Sequence, residues 1–517
     1  MNEAYDLAIV GSGFAGSLTA MIARRMGLSV VMVERGKHPR IVIGESSTPL
    51  TNLLMEELTT RFDLPTIRSL SKWGTWQRDH PEIACGLKRG FTFYHHDLKN
   101  PKPFPPPREE QLLVTASPHD AIADTHWYRA DFDHMFVREA EKMGVVYYDE
   151  TDLACDLSQE SSVQFIGKRR GSRVCFSAGF VVDATGPRGF LHQQLRLGEG
   201  ELPGFPRTQA LYSHFADVGR LNDRATSNLH IPPYPVDDAA VHHVFDGGWI
   251  WVLRFNNGVT SAGISATDEF AGELEFRDGA EAWKRILQRI PILQDCFRNA
   301  RAIQPFTHIP RLAFRSPRVA GRNWALLPSA SGFVDPLMST GFPLTLLGIT
   351  RIAEFLEARR NARDNEALLQ DYAVQTDADL VATGKLIAAL YANMNNFPVF
   401  ISLSLLYFAA ASFSETARRL GKPQLASSFL LHGHTSFGPE CAGLLERAHN
   451  IETEQDSISL ATDVLRAIEP INLAGLGRED RSNWFPVEAA DLLDCHAKIE
   501  ASRDEIAQLL QRCGFYP

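Results

Sequence analysis

The stretch YDLAIVGSGFAG, residues 5–16, decides the fold of this chain. It is a short apolar run that ends in G-x-G-x-x-G, and the segment SLTAMIARRMG that follows has the composition of a helix. Gly11, Gly13 and Gly16 let the backbone approach a pyrophosphate, which lies on the helix N-terminus. Glu34 ends the next strand, 23 residues after Gly11, where a carboxylate accepts hydrogen bonds from ribose hydroxyls. The pattern predicts a Rossmann-like dinucleotide-binding unit.

Three later segments decide between NAD and FAD, which share this glycine pattern. VVDATGPRG, residues 181–189, resembles the second strand and turn of FAD-dependent hydroxylases. WYRADFDHMFVREA resembles their R-x-x-F-D-x-x-L helix, and it places Arg129 near the flavin and Asp133 on the same helix. NWALLPSASGFVDPLMSTGFPLTLLGI resembles the segment that approaches the isoalloxazine ring. Because the three occur in the expected order, the resemblance favours FAD.

The composition excludes several classes of protein. A chain of 517 residues should hold two or three packed modules. The net charge of −10 offers no basic surface for nucleic acid, and together with the absence of a basic leader it predicts a soluble, cytoplasmic protein. The seven cysteines include no C-x-x-C pair, and the adjacent histidines lack metal-ligand spacing, so neither disulfides nor a metal site is expected.

One apolar segment, residues 397–413, needs a separate test for membrane insertion. It is 17 residues long and contains three serines, whereas a spanning helix needs about 20 predominantly apolar residues. We therefore expect a buried helix and no membrane span.

Hydrophobic patterning divides the chain into three regions. Residues 1–200 and 300–360 are predicted to form a discontinuous FAD-binding module. Residues 201–299 alternate polar and apolar side chains, as in VTSAGISA, which predicts an antiparallel-sheet substrate module. Residues 361–517 are expected to be mainly helical. The predicted fold class is α/β (α+β): a Rossmann-like FAD-binding domain with an antiparallel-sheet substrate region and a helical C-terminal part.

Four segments together resemble the flavin-dependent halogenases, a branch of the FAD-dependent monooxygenases. IGESSTPL, residues 43–50, is similar to the family's G-E-[SA]-[ST]-x-P segment, a mobile strap over the flavin. GLKRGFTF is similar to the segment that carries the family's catalytic lysine, which falls on Lys88. GGWIWVLRF is similar to the W-x-W-x-I-P motif. SGFVDPLMSTG is similar to S-G-F-[VL]-[ED]-P-L-x-S-T-[GS], which closes the flavin and halide site. The resemblance covers residues 5–350.

The resemblance implies an enzyme that halogenates an electron-rich aromatic with reduced FAD, O₂ and chloride or bromide. Hypohalous acid reaches Lys88, whose amine holds the electrophilic halogen near the ring. A desolvated lysine has a lowered pKa, so more of it is the neutral amine. Because the chain carries no second dinucleotide fingerprint, we expect a separate flavin reductase to supply FADH2.

The predicted site residues fall into four groups. Lys88 is the catalytic residue. The FAD-binding residues are Gly11, Gly13, Phe14, Ala15, Gly16, Glu34, Arg35, Ser46, Ser47, Arg129, Asp183, Gly186 and Asp335. The halide and flavin loop comprises Ser339, Thr340 and Gly341. The substrate side comprises Trp249, Trp251 and Met338.

Two departures from the family pattern bear on the reaction. Leu253 and Arg254 replace the isoleucine and proline of W-x-W-x-I-P, which leaves room for a relative that does not halogenate. Met338 stands where tryptophan halogenases carry a glutamate, so the resemblance favours a phenol or pyrrole over tryptophan as substrate.

Several alternatives stay open at this stage. The chain is compatible with an FAD-dependent monooxygenase or oxidoreductase on the same scaffold, and with a non-catalytic flavin-binding or redox-sensing protein. The aromatic substrate is either free or tethered to a carrier protein. A homodimer is compatible with the sequence.

Overall fold

The computed structural model describes residues 3–158, 162–224, 231–361 and 366–516. In these residues, strands β1 to β21 span, in chain order, Glu3–Val10, Val30–Val33, Cys85–Lys88, Gly90–His95, Gln111–Thr115, Asp124–Trp127, Val146–Tyr148, Thr151–Asp156, Val163–Arg169, Ser172–Asp183, Thr208–Ala216, Ala240–Phe245, Gly248–Arg254, Thr260–Thr267, Arg301–Ala302, Thr307–Ile309, Phe314–Arg315, Ala320–Gly321, Trp324–Leu326, Gly332–Phe333 and Trp484–Phe485.

Helices account for most of the rest of the chain, and they dominate after residue 340. In the described residues, α1 to α16 span Phe14–Arg25, Pro49–Arg61, Pro65–Arg68, Trp73–Asp79, Arg129–Lys142, Phe190–Gln194, Asp268–Glu273, Ala280–Arg289, Pro291–Cys296, Gly341–Arg360, Glu366–Ala392, Phe397–Arg419, Phe437–Arg447, Glu454–Ile468, Ala489–Asp494 and Arg503–Arg512.

The first sheet is the Rossmann-like sheet that the glycine pattern predicts. Its strand order is β18-β19-β10-β1-β2-β7, and β1 pairs in parallel with both β2 and β10. In this register Val10 lies beside Val33 on one side and Asp183 on the other. The carboxyl ends of the three central strands therefore meet at one edge, where nucleotides bind in such sheets.

The second sheet is largely antiparallel and has the order β15-β11-β14-β13-β12-β4-β5-β21. Strands β11 to β14 all lie within residues 201–299, where the alternation of polar and apolar residues predicts strands. Strands β4 and β5, however, also belong to this sheet, because β4 pairs in parallel with β12. The sheet thus recruits residues 90–115, which the sequence analysis placed in the FAD-binding module.

The apolar segment around residue 400 lies in helix α12. By length and composition this helix could cross a membrane, but 83% of its apolar window is buried inside the protein. Its apolar residues pack on the second sheet: Phe400 contacts Phe93, and Phe408 contacts Phe91. The helix thus forms one wall around strand β4.

Candidate active site

The glycine turn after β1 is shaped for a close-lying pyrophosphate. Gly11 has φ +98°, and a Cβ there would lie 2.6 Å from the carbonyl oxygen of Ala184. A Cβ on Gly16 would lie 2.0 Å from the carbonyl oxygen of Gly11. Gly13 is the N-cap residue of α1 and has no side chain that could accept a hydrogen bond. The backbone N–H groups of the first turn, at Phe14 and Ala15, are therefore available to a phosphate. This cradle fits the pyrophosphate of FAD.

Glu34 lies at the same sheet edge and holds the turn in place. Its carboxylate accepts hydrogen bonds from the backbone N–H groups of Ser12 (3.1 Å) and Gly36 (2.8 Å), and it pairs with Arg40. Burial alone would raise the pKa of Glu34, but Arg40 and these N–H donors lower it, so the group is a carboxylate. Arg35, the next residue, is exposed to solvent.

Asp183 ends β10 and organises the second turn of the FAD module. The buried carboxylate accepts hydrogen bonds from Thr185 N–H (2.9 Å) and Leu191 N–H (2.6 Å). Burial raises its pKa. Gly186 in this turn has φ +90°, a conformation that favours glycine. The turn predicted from VVDATGPRG is therefore built around Asp183.

Arg129 connects four segments that lie far apart in the sequence. It forms a bidentate ion pair with Asp133 on the same helix, at 2.8 and 2.7 Å. Its third nitrogen donates to the carbonyl of Gly44 in the strap, at 2.8 Å. The guanidinium lies 5.2 Å from the ring of Phe14 and 5.9 Å from the ring of Phe342. The glycine turn, the strap, α5 and the start of α10 thus converge on one buried cation.

Lys88 is fully buried and is held by the strap. Its ammonium donates to Ser46 Oγ at 2.8 Å and to the carbonyl of Ser47 at 2.5 Å. It also lies 3.8 Å from the centre of the Phe91 ring. Ser47 is fixed in turn, because its N–H and hydroxyl both donate to the carbonyl of Thr125. Ser46 and Ser47, predicted to bind the flavin, therefore also position the predicted catalytic amine.

Four further polar side chains lie around Lys88. Asp124 is paired directly with Lys88 across the β3–β6 ladder, and Asn52 donates to its Oδ1 at 2.6 Å. His126 lies two residues along the same strand. Burial, together with the Lys88 charge, lowers the pKa values of His126 and His242 to about 3, so both imidazoles are neutral at physiological pH. Burial also lowers the pKa of Lys88 and raises that of Asp124, while their attraction opposes both shifts.

A hydrogen-bonded chain links the substrate-side tryptophan to the halide loop. Trp249 donates to Tyr391 Oη at 2.9 Å, and this hydroxyl lies 3.0 Å from Asp335 Oδ2. Ser265 donates to the same carboxylate oxygen at 2.8 Å. The other oxygen of Asp335 accepts the N–H of Leu337 at 3.0 Å. Asp335 therefore fixes the loop from inside the protein, and burial raises its pKa.

The loop before α10 has an unusual backbone. Met338 and Ser339 have φ +63° and +55°, in the left-handed region. Such conformations cost of order 1–3 kcal/mol where a side chain is present, and they cluster at ligand sites. Thr340 precedes the first helical residue, Gly341, and caps α10 without a side-chain hydrogen bond. The N-terminus of a 20-residue helix is thus directed at the region where the resemblance places halide and flavin.

The two tryptophans of GGWIWVLRF are packed in the core. Trp249 and Trp251 are almost fully buried, with ring centres 5.6 Å apart, and Trp249 also contacts His242. Arg254, which replaces the motif's proline, points to the other side: it pairs with Asp237 at 2.8 Å. The substitution thus ties the end of β13 to a neighbouring loop and leaves the tryptophans in place.

Sequence reasoning missed the residues that complete this site. Asn52, Asp124, His126, His242 and Tyr391 were not predicted, because each reaches the site through contacts with residues distant in the chain. Asp124 begins the fully buried strand DTHW. A charged residue at the start of such a strand is the one local signal that could have identified it.

A dinucleotide-binding glycine turn, linked through Arg129 to the strap that holds a buried lysine, is the arrangement expected of an FAD-dependent enzyme. The family model for tryptophan halogenase matches residues 115–396, which is more than half of the chain. The chain therefore belongs to the flavin-dependent halogenase family, whose members are enzymes that use FAD and a halide.

Individual relatives agree with this family. The chain is 26% identical to the tetracycline 7-halogenase of Kitasatospora aureofaciens over 420 residues, covering 79% of this chain and 73% of that one. It is 27% identical to the monodechloroaminopyrrolnitrin halogenase PrnC of Pseudomonas fluorescens over 355 residues, covering 68% and 61%. The crystal structure of halogenase PltM with phloroglucinol and FAD superposes with a TM-score of 0.80 at 23% identity, covering 92% and 99%.

Proposed function

We propose that this enzyme halogenates a small phenol or pyrrole rather than tryptophan, and that Lys88 is the residue that holds the electrophilic halogen. The observation that carries the proposal is the fully buried Lys88 amine, hydrogen-bonded to Ser46 and Ser47 of the strap. Met338 supplies no carboxylate at the halide loop. Two relatives named for a pyrrole substrate and a fold relative crystallised with phloroglucinol support the substrate class.

Each part of the chain has a separate task in this proposal. FAD in its reduced form, together with O₂, supplies the oxidant that converts chloride or bromide to hypohalous acid. Gly11, Gly13 and Gly16 bind the pyrophosphate, and Ser339, Thr340 and Gly341 bind halide at the N-terminus of α10. Lys88 then holds the hypohalous acid by a hydrogen bond in a site without bulk water, which limits indiscriminate oxidation.

We further propose a carrier protein and a flavin reductase as partners of this enzyme. The chain resembles the 1H-pyrrole-2-carbonyl-[peptidyl-carrier protein] chlorinase of Pseudomonas fluorescens, so a carrier-tethered pyrrole is one candidate form of the substrate. A cytoplasmic location would give access to both a carrier protein and a reductase. The division into an FAD module, a sheet module and a helical region belongs to the same proposal, with residues 90–115 assigned to the sheet module.

Supplying bromide is expected to yield a brominated aromatic. The protein would be incubated with FAD, a flavin reductase, NADH, bromide and a panel of phenols, pyrroles and indoles, and the products identified by mass. We expect brominated phenols or pyrroles in larger amounts than brominated indoles, and none of them without bromide. A hydroxylated product formed equally well without halide would instead support a monooxygenase, and no product from any aromatic would support a non-catalytic flavoprotein.

A second expectation concerns the source of electrons. Since the chain carries one glycine fingerprint for a dinucleotide, NADH and NADPH should be oxidised only slowly by the FAD-loaded protein alone. Adding a flavin reductase should restore turnover, measured as the loss of NADH absorbance together with product. Fast NADPH oxidation by the protein alone, stimulated by an aromatic, would contradict a separate reductase.

A further inference from the structure

A buried carboxylate lies directly opposite Lys88. Asp124 and Lys88 are paired residues of the antiparallel β3–β6 ladder, so their side chains share a face with Cβ atoms roughly 5 Å apart. Lys88 is 0% exposed and Asp124 is 4% exposed. A buried charge needs a partner of opposite sign. Lys88 and Asp124 thus place a proton donor and a proton acceptor beside each other.

Three acceptor atoms in this region lack a hydrogen-bond partner among the described residues: Asp124 Oδ2, Asn52 Oδ1 and His126 Nδ1. Leaving a buried acceptor unsatisfied is unfavourable, because the group has lost its hydrogen bonds to water. Asn52 donates its amide to Asp124 Oδ1, and His126 Nε2 lies 3.2 Å from the carbonyl of Ala239. Each side chain is therefore fixed through one atom and keeps a second atom free to accept a hydrogen from a ligand.

We propose that Asp124 is the base that removes the ring proton during halogenation, and that Lys88 is the matching acid. This assignment rests on the proposed function. An electron pair of the ring attacks the halogen, the C–X bond forms, and the O–X bond of hypohalous acid breaks with its electrons on oxygen. Lys88 donates a proton to that oxygen, giving water. The ring C–H bond then breaks, its electrons restore aromaticity, and the proton goes to Asp124 Oδ2.

The pair then returns to its starting state. Asp124 then gives up its proton and the neutral Lys88 amine regains one, which restores the starting charges, so the net reaction is ArH + HOX → ArX + H₂O. The neutral amine has two hydrogens, and its two hydrogen-bond acceptors, Ser46 Oγ and the Ser47 carbonyl, satisfy both. Burial lowers the pKa of Lys88 and raises that of Asp124, so the proton is less strongly biased towards the lysine here than it would be in water.

Other ionisable groups face Asp124 from every packed element, and they must be separated from it in a test. His126 lies on the same strand, Lys88 on β3 and His242 on β12, and the groups of α12 are Tyr407, Glu415 and Arg419. At physiological pH the two imidazoles are neutral. Lys88 and Asp124 are therefore the groups whose shared proton is expected to move.

The first test needs neither substrate nor turnover. Infrared spectra of the FAD-loaded protein at a series of pH values should show the carbonyl stretch of a protonated carboxyl group that Asp124→Asn lacks. In Lys88→Met this stretch should persist to higher pH, because the lysine charge lowers the pKa of Asp124. Buried Asp183 and Asp335 contribute equally to all three proteins. A band unchanged by Asp124→Asn, or unmoved in Lys88→Met, would overturn the acid–base pair.

The second test detects removal of the ring proton. With bromide and phenol, Asp124→Asn should brominate about 100-fold more slowly than the wild type, and phenol-d5 should reveal a primary isotope effect that the wild type lacks. Loss of the base makes breakage of the C–H bond rate-limiting. Asp379→Asn, which alters another buried aspartate that pairs with Arg351, should show no isotope effect. A slow Asp124→Asn without an isotope effect would mean a purely structural role.

Two further outcomes are decisive. If Asp124→Asn does not fold, Asn52→Leu keeps the carboxylate but removes the amide that orients it, and a smaller isotope effect in this variant is expected. If Asn52→Leu shows no isotope effect, the role of Asp124 as the base is contradicted. If the wild type brominates neither phenols nor pyrroles, the substrate class of the proposed function fails, whereas the infrared titration still decides whether Asp124 and Lys88 share a proton.

Discussion

Lys88→Ala is expected to abolish halogenated product while FAD binding and the oxidation of reduced FAD by O₂ continue. The amine is fully buried and bonds Ser46 and Ser47, so alanine removes the cation that we propose holds hypohalous acid beside the ring. We expect product to fall by a factor of about 1,000 or more, since positioning and acid catalysis are lost together. Product would be measured by mass, and reoxidation of FAD by stopped-flow absorbance.

Two companion variants separate chemistry from folding. Lys88→Met fills most of the volume without a charge, and Asp124 then takes up a proton rather than remaining as an unpaired buried charge. Lys88→Arg should fail nearly as badly, because a guanidinium does not release its proton and needs more room than a fully buried site provides. Lys284→Ala, on an exposed lysine, is the control that should retain activity. Halogenation by Lys88→Met at a rate near wild type would disprove the role of Lys88.

Local motifs predicted the parts of the site that depend on backbone shape. The glycine turn follows from residues 11–16 alone, because a Cβ at Gly11 or Gly16 would collide with backbone atoms within 3 Å. Strands β1 and β2 end side by side, with Val10 opposite Val33, so Glu34 follows at the edge of the sheet. Such features could be predicted because each is encoded within a few consecutive residues.

Other parts depend on strand pairing, which a single sequence does not encode. The parallel pairing of β4 with β12 joins segments about 150 residues apart, so the extent of the second sheet could not be inferred from alternation. Asp124 lies opposite Lys88 only because β3 pairs with β6. A catalytic role for Lys88 is a prediction from the resemblance alone, whereas the carboxylate opposite it could be found only from the register of the ladder.

The strap shows how the two kinds of information combine. Its sequence, GESSTP, predicted a segment over the flavin, and the structure adds that its hydrogen bonds run to the lysine and to Arg129. Glu45 in the same segment pairs with buried His214 at 2.6 Å. The strap is thus tied to the β3–β6 pair, to helix α5 and to the second sheet. Motifs thus identified the glycine turn, the strap and Lys88, whereas the side chains that the strap and the lysine contact could be found only from the folded structure.

Gly13→Val is expected to eliminate FAD binding without unfolding the protein. Gly13 has φ −65°, which any residue adopts, and a Cβ there would lie 3.5 Å from Arg129 and 3.6 Å from Asp133, at ordinary contact distance. The valine side chain would stand beside the first turn of α1, where the glycine pattern places the pyrophosphate. We expect affinity to fall about 100-fold or more, equivalent to about 2.8 kcal/mol.

Gly13 is the informative position because its neighbours in the motif cannot be tested in this way. Gly11 has a positive φ and a backbone carbonyl 2.6 Å from its Cβ position, so Gly11→Ala would disturb folding and binding together. Gly443→Val, where a Cβ meets nothing within 4 Å, controls for a branched residue in a helix. Binding would be measured by FAD fluorescence quenching, and folding by circular dichroism. A folded Gly13→Val that binds FAD as tightly as the wild type would place the pyrophosphate elsewhere, and the assignments of Glu34, Asp183 and the strap would fall with it, because all of them are anchored to this turn.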